Sequence, residues 1–144
     1  MSSRNKNISF EDNSIKIKGI LNDQCISYLY EAAGELEAQV KRNTAVDSGQ
    51  LKSSWTHNVS EAGLTATIGS PLENAIWEEF GTGEFALNGD GRKTPWVYQD
   101  RKGVWHKTTG KYPKRAFQKT FTKLKPKLIK RIGEIISQGF KKWA

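Results

Sequence analysis

The chain has 144 residues, of which 36% are hydrophobic, and its formal net charge at pH 7 is +8. This length suits a single domain over residues 1–144, with a core at about 15–140 and an inserted loop and hairpin at about 84–112. No apolar run reaches the ~20 residues that cross a bilayer, and the amino terminus lacks a signal-peptide pattern, so we expect no membrane contact. Cys25 is the only cysteine. An intrachain disulfide is therefore excluded, and a reduced, buried thiol made in a reducing cytoplasm is expected.

The charge is divided unevenly along the chain. Residues 1–91 carry 7 Lys and Arg against 13 Asp and Glu, a net charge of −6. Residues 92–144 carry 16 against 2, a net charge of +14. This asymmetry favours a polyanionic partner, or acidic and basic surfaces that meet on neighbouring copies. A basic helix that simply faces water explains the second part equally well.

The first elements are a strand and a long helix. The alternation Ile15-Lys-Ile-Lys18 is typical of a short strand. From Asn22 to about Asn43, apolar residues recur every three or four positions, which predicts an amphipathic helix. Its expected buried face consists of Cys25, Leu29, Ala32, Leu36 and Val40.

The segment Val46-Asp-Ser-Gly-Gln-Leu51 has the pattern of a capped helix start. Asp47 can cap a helix that begins at Ser48, and Gln50 then falls at the third helical position. Val46 and Leu51 occupy the two positions of a hydrophobic staple. We interpret Asp47 as a structural capping residue and not as a catalytic carboxylate.

A hairpin and a second short helix follow. Trp55 to Ser60 and Leu64 to Ile68 are β-prone runs around a glycine-containing turn, which predicts an antiparallel hairpin. Ser70 is then expected to cap a helix that has Pro71 at its first position and Glu73 at its third. The apolar face of this helix comprises Leu72, Ala75, Ile76 and Phe80, with Trp77 on its flank.

The end of this helix breaks a local rule. Gly81 is expected to end it in the left-handed conformation, with a positive φ. Glu78 and Glu79 fall in the last turn, where the helix dipole disfavours negative charge by ~0.3–1 kcal/mol each. A basic residue of this chain or of a neighbour is therefore expected to answer at least one of them.

The loop from Glu84 to Thr94 contains two turn signals, Asn88-Gly89 and Asp90-Gly91. We expect it to be mobile in the free protein, because it has little apolar area to offset the ~1–2 kcal/mol per residue of backbone entropy. Its apolar residues, Phe85 and Leu87, are either anchors for a partner's pocket or side chains that fold back onto this chain's core.

The last elements are a second hairpin and a long helix. Trp96 to Tyr98 and Val104 to His106 predict the hairpin, and a helix is predicted from Pro113, kinked or interrupted at Pro126. The fold class is therefore α+β, with a small, mostly antiparallel sheet packed by an N-terminal helix and a long C-terminal helix. The apolar stripe of the last helix comprises Phe117, Phe121, Leu124, Leu128, Ile132, Ile135 and Phe140.

The chain contains short matches to catalytic and cofactor-binding motifs, but the residues around each match do not have the pattern that the motif requires. Gly81-Thr-Gly-Glu-Phe-Ala86 matches a relaxed dinucleotide fingerprint, but it follows a helix instead of a strand. Gly91-Arg-Lys-Thr94 lacks the glycine that a phosphate-binding loop needs before its lysine. His57 and His106 have no neighbouring cysteine, which gives a zinc site weak support. We expect no catalytic residue, no cofactor and no metal ligand.

Three blocks of sequence, in order, carry a family resemblance. Residues 46–54 are similar to the pattern VDTGxLxxS, residues 75–83 to YAxxxEfGTG, and residues 112–117 to a PFLxPA helix start. Over roughly Asp23 to Phe121, the chain resembles the tail-completion, or head–tail joining, proteins of long-tailed bacteriophages, also called minor tail components. The insertion at 88–96 is similar to the form in phages of Gram-positive hosts. The departures from the family pattern are Ala45, Asn74 and Arg115.

The resemblance implies a non-enzymatic structural protein of virion assembly, made in the host cytoplasm and located in the tail and neck. It implies a small domain, monomeric when free, that forms a ring of roughly six copies at the head-proximal end of the tail. The implied partners are the tail tube protein and the head stopper or connector protein, with DNA as a further contact. The implied assembly contacts are Val46, Asp47, Gly49, Leu51, Trp77, Glu78, Glu79, Phe80, Gly81, Thr82 and Gly83, and the partner-binding loop contributes Phe85, Leu87, Arg92, Lys93 and Trp96.

A small basic nucleic-acid-binding module is the alternative. The positive charges after residue 91 are interleaved with Trp96, Tyr98 and Trp105. Lysine and arginine bind phosphates, and exposed aromatic rings stack on bases.

Overall fold

The computed structural model describes residues 12–46 and 49–141 and shows an α+β fold, as predicted. The strands form three separate antiparallel pairs, β1 with β2, β3 with β6 and β4 with β5, in place of one sheet. The pairs β1–β2 and β4–β5 are the two predicted hairpins. The elements are α1 (Ser14–Asn43), α2 (Gln50–Ser54), β1 (Thr56–Ser60), β2 (Thr65–Gly69), α3 (Glu73–Phe80), β3 (Thr82–Gly83), β4 (Trp96–Gln99), β5 (Trp105–Thr108), β6 (Gly110–Lys111) and α4 (Ala116–Lys141).

The two long helices, α1 and α4, run antiparallel along each other. At one end, the side-chain amide of Asn43 donates to the hydroxyl of Thr120 at 2.8 Å. At the other end, Gly139 lies so close to α1 that a Cβ there would be 2.9 Å from the side-chain oxygen of Gln24. A glycine at this crossing therefore allows the close approach of the two helices.

The buried core lies where the second half of α1, strand β2 and the first half of α4 meet. The ring of Trp55 stacks on that of Phe117 with their centroids 6.0 Å apart. The indole N–H of Trp55 donates to the hydroxyl of Thr44 at 2.9 Å, so the polar atom of this buried side chain has a partner. The core comprises Leu36, Val40 and Trp55, with Ile68, Phe117 and Leu124 packed against it.

The start of α1 differs from the prediction. The Ile15–Lys18 segment lies in the first turns of the helix, so the predicted strand is wrong. Four alternating residues are too few to distinguish the two-residue period of a strand from the ~3.6-residue period of a helix. The helix continues into the amphipathic pattern that follows. The buried residues of α1 are Tyr28, Ala33, Leu36 and Val40. Cys25 is only half-buried, which corrects the expectation of a buried thiol.

The two short helices begin later than predicted. α2 begins at Gln50, after Gly49 with φ 81°, and not at Ser48. Asp47 and Ser48 lie outside the described residues, and Val46 is 64% exposed, so no buried staple forms. α3 begins at Glu73 and not at Pro71.

The reason for the late start of α3 is the hydroxyl of Ser70. It accepts the N–H of Leu72 at 3.2 Å and hydrogen-bonds Ser54 at 2.6 Å. The serine therefore closes a local turn, and Leu72 stays extended instead of entering the helix.

The last helix begins at Ala116 and not at Pro113, and it is less buried than the sequence suggested. α4 runs through Pro126 without interruption, so a break there is wrong. Pro126 is exposed, and the missing backbone hydrogen bond leaves the packing of α4 on α1 in place. Phe121 and Phe140, expected in the apolar stripe, are 36% and 55% exposed.

Candidate functional site

Glu78 meets basic residues of its own chain. Its carboxylate pairs with Lys111 of β6, and Lys114 lies 3.5 Å from its second oxygen. Both lysines come from the segment between the second hairpin and α4, more than thirty residues along the chain. The predicted basic partner is therefore confirmed, although the sequence did not indicate which lysine it would be.

Glu79, at the end of α3, caps the amino-terminal end of α4. Its two carboxylate oxygens accept the backbone N–H groups of Phe117 and Gln118 at 3.0 and 2.8 Å. These are orphan donors in the first turn of α4, where the helix dipole favours negative charge. A carboxylate that is unfavourable at the end of α3 thus stabilises the start of α4.

The glycines after α3 permit two backbones to cross. Gly81 has φ 75° and ψ 175°. The predicted positive φ is confirmed, but the extended ψ differs from the left-handed helical conformation. A Cβ on Gly83 would lie 2.1 Å from the carbonyl oxygen of Thr109, and one on Gly110 would lie 2.2 Å from that of Thr82. The β3–β6 pair therefore requires glycine on both strands.

The structure brings the three sequence blocks together. A cleft of about 300 Å³ is lined by Val46, Gly49 and Leu51 from the first block and by Glu78 from the second. Lys114 of the third block lines the same cleft. We call the region where the end of α3, the β3–β6 pair and the first turn of α4 meet the α3–α4 junction.

The outer face of α3 is apolar and exposed. Ile76 is 61% exposed, Trp77 48% and Phe80 45%. Leu87, which is 45% exposed, joins them because its N–H donates to the carbonyl oxygen of Phe80 at 2.9 Å. We call these four residues the α3 patch. An exposed group of large apolar side chains beside a rigid junction is typical of an interaction surface.

The predicted partner-binding loop is divided by the structure. Phe85 folds back and stacks on Tyr112 with centroids 4.0 Å apart, which is the alternative to the anchor role. Leu87 stays in the exposed patch. Arg92 lies over the ring of Trp96 at 5.7 Å, and Lys93 is exposed.

A larger cleft of about 720 Å³ lies between α3 and the second hairpin, and Trp77, Trp96, Tyr98 and Lys111 are among its lining residues. The register pairs Tyr98 with His106 and Gln99 with Trp105. Because neighbouring residues on a strand point to opposite faces, Trp105 lies on the face opposite Tyr98. The three aromatic residues of the nucleic-acid hypothesis therefore do not form one stacking surface.

The histidines pair with carboxylates and not with each other. His57 contacts Glu37, and His106 lies 2.8 Å from Asp100. Hydrogen bonds from Lys41 first, and then from His57, lower the pKa of Glu37. Residues 12–46 and 49–141 contain no cluster of three or more His, Cys, Asp or Glu able to hold a metal ion. Within the same residues, no helix is long and apolar enough to cross a membrane.

Residues 9–81 match the family model described as "Bacteriophage HK97-gp10, putative tail-component". The chain belongs to this family. It is therefore a bacteriophage tail component, and the virion is its location. No curated protein and no solved structure matches the chain. The family match includes α1 to α3 and ends at Gly81, so it contains the first sequence block and most of the second.

Sequence reasoning missed several residues that build the junction. Lys111 and Lys114 were not assigned to Glu78, and Gly110 was not recognised as the partner of Gly83. The charge conflict at the end of α3 signalled that a partner exists. The position of that partner depends on how the second hairpin returns the chain to α3, which local patterns do not encode.

Proposed function

We propose that this tail component is the tail-completion, or head–tail joining, protein. It forms a ring at the head-proximal end of the tail, where it contacts the tail tube protein on one side and the head stopper on the other. The observation that carries the proposal is the α3 patch, a large apolar surface exposed beside the junction at which the three sequence blocks meet.

The junction supports a structural role for its glutamates. Glu78 is held by two lysines, and Glu79 is held by two backbone N–H groups of α4. The carboxylates thereby fix the orientation of α3 against α4, which keeps the α3 patch in one position. A preformed, rigid surface loses less conformational entropy on binding than a flexible one.

The charge division of the sequence is partly neutralised within the chain. Lys127 pairs with Glu35 at 2.7 Å, and Arg131 lies 3.4 Å from Glu31. Exposed ion pairs of this kind contribute ~0–1 kcal/mol each. The basic residues on the outward side of α4 are exposed and available for contacts between copies. A ring requires such contacts between two different surfaces of each copy.

A basic nucleic-acid-binding module is the second candidate. The observation in its favour is the face of the second hairpin that carries Trp96 and Tyr98, with Arg92 over the ring of Trp96. Two aromatic residues and a guanidinium group can stack on bases and bind phosphate. The position of Trp105 on the other face counts against an extended binding platform.

The test is electron microscopy of particles produced by a phage that lacks this gene. We expect DNA-filled heads beside complete but unattached tails, and joined virions when the wild-type gene is supplied on a plasmid. A Trp77→Ser variant should fail to restore joining. A Val97→Ser variant is the matched control, because Val97 is also exposed, at 61%, but lies in the second hairpin.

Two outcomes would contradict the proposal. One is joined, infectious virions in the absence of the gene. The other is a monomer that binds duplex DNA with an affinity that falls steeply as salt rises, which would favour the nucleic-acid module.

A further inference from the structure

The outward face of α4 carries a second set of exposed apolar residues. Ile129 is 58% exposed, Ile136 36% and Phe140 55%. Their spacing of seven and four residues places them on one face of the helix. We call these three residues the α4 stripe. It lies beyond the family match, and Leu124 and Gly139, which lie against the core and against α1, are on another face of the helix.

The α4 stripe contains a glycine, Gly133, and no contact within the chain requires a glycine at this position. Gly133 is four residues after Ile129 and three before Ile136. A Cβ added at Gly133 would meet nothing within 4 Å. Apart from proline, glycine is the least favourable residue in the interior of a helix. The absence of a side chain at Gly133 leaves room for a partner to approach this part of the helix closely.

Charged residues at the edge of the α4 stripe can pair with charged residues at the edge of the α3 patch. Lys130 is exposed beside Ile129 and has no acidic partner among the described residues. At the α3 patch, Glu73 precedes Ile76 and Trp77 by one helical turn, and Asp90 lines the same shallow cleft as Trp77. Both carboxylates are exposed and lack a basic partner within residues 12–46 and 49–141. Each surface thus has an apolar centre, and Lys130 at the edge of one can pair with Glu73 or Asp90 at the edge of the other.

The two surfaces lie far apart on the molecule. The α3 patch adjoins the first turn of α4, because Glu79 binds the N–H of Phe117. The α4 stripe begins twelve residues further along the helix, a distance of about 18 Å at 1.5 Å per residue. One copy cannot bring its own two surfaces together across this distance. Two different surfaces at separate ends can instead join successive copies head to tail, which is the contact that closes a ring.

We propose that the α4 stripe of one copy binds the α3 patch of the next, with Trp77 seated over Gly133 and Lys130 facing the acidic edge formed by Glu73 and Asp90. This inference rests on the proposed ring and names the two surfaces that build it. The partner at both surfaces is a second copy of this chain, and neither the tail tube nor the head stopper is needed for the contact.

The first test is disulfide trapping in assembled tails. Two single-cysteine variants are made in a Cys25→Ser background, one with Glu73→Cys and one with Lys130→Cys, because these exposed edge residues face each other in the proposed contact and the apolar anchors stay intact. Each is supplied, alone or together with the other, to cells infected by phage that lacks the gene. Oxidation of purified tails that contain both variants should give covalently linked pairs, and tails with either variant alone should give none. Linked pairs from one variant alone, or no pairs from the mixture, would overturn the inference.

The second test uses two exposed helical glycines. Gly133→Gln should leave the free protein at least as stable as wild type in urea and should abolish particle production, because the longer side chain fills the space for Trp77. Gly19→Gln is the matched control, since a Cβ on Gly19 of α1 also meets nothing within 4 Å. This control should give wild-type particle numbers. Normal particle production by the Gly133 variant would overturn the inference.

The failure of this inference can be separated from the failure of the proposed function. If the gene is required for joining but Gly133→Gln joins heads to tails normally, only the contact between the two surfaces is wrong. If virions are joined without the gene, the tail-completion function itself is wrong.

Discussion

The α3–α4 junction and the β4–β5 hairpin are stabilised in different ways. The junction is held by groups that are distant in sequence, such as Glu79 with the first turn of α4 and Gly83 against Thr109. The hairpin is held largely by its own turn, in which Asp100 accepts the N–H groups of Lys102 and Val104 at 2.8 and 2.9 Å. A change in the junction should therefore disturb the whole fold, whereas a change in the hairpin turn should stay local.

The largest expected effect on the free energy of unfolding comes from Gly83, which we compare with Gly103, a second glycine with positive φ. Gly83→Ala should destabilise the protein by on the order of 3 kcal/mol, because the added methyl group meets a backbone oxygen at 2.1 Å in a conformation already unfavourable for alanine. Gly103→Ala in the hairpin turn has a φ of 82°, but its closest contact is the side chain of Gln99 at 3.6 Å. It should cost about 1–2 kcal/mol. Urea unfolding measures both, and equal costs would show that the β3–β6 crossing is not tightly constrained.

A smaller effect separates the two glutamates of the junction. Glu79→Gln should cost about 1–2 kcal/mol, because the charged acceptor for two N–H groups in the first turn of α4 is lost. Glu78→Gln should cost less than about 1 kcal/mol, because its lysine partners are largely exposed. The difference in urea midpoint between these isosteric variants is the measurement. A greater loss from the Glu78 variant would mean that the ion pairs, and not the helix cap, hold the junction.

The smallest expected effect is local to the hairpin. A hydrogen bond from His106, followed by those from the backbone N–H of Val104 and of Lys102, lowers the pKa of Asp100 below its ordinary value of 3.8. The ionised carboxylate therefore stabilises the turn fully at pH values above the ordinary pKa of Asp100. This stabilisation is lost as the pH falls through the lowered pKa of the folded protein. The amide proton of Val104 should titrate with Asp100 in NMR spectra taken from about pH 2 to 6. In an Asp100→Asn variant it should not titrate. Loss of the α3–α4 contacts over the same pH step would contradict a local role.

Prediction from sequence succeeded where neighbouring residues determine the structure. The two hairpins follow from β-prone runs around turn residues, and the core of α1 around Leu36 and Val40 follows from helical spacing. It was wrong at Ile15–Lys18, where four residues fit two periodicities, and at the start of α3, where the Ser70 hydroxyl closes a turn instead of capping the helix. Helix starts are sensitive to one hydrogen bond, so a short pattern determines them poorly.

By itself the sequence determined the α+β class, the two hairpins, the positive φ of Gly81 and the need for a partner for the glutamates of α3. Each of these depends on the preferences of residues close together in the chain. Only the tertiary structure decided that Lys111 and Lys114 bind Glu78, that Glu79 caps α4, that Phe85 packs on Tyr112 and that Trp105 faces away from Tyr98. These contacts depend on how the second hairpin brings residues 110–118 back to α3. Local patterns of residue types do not determine such contacts between distant parts of the chain.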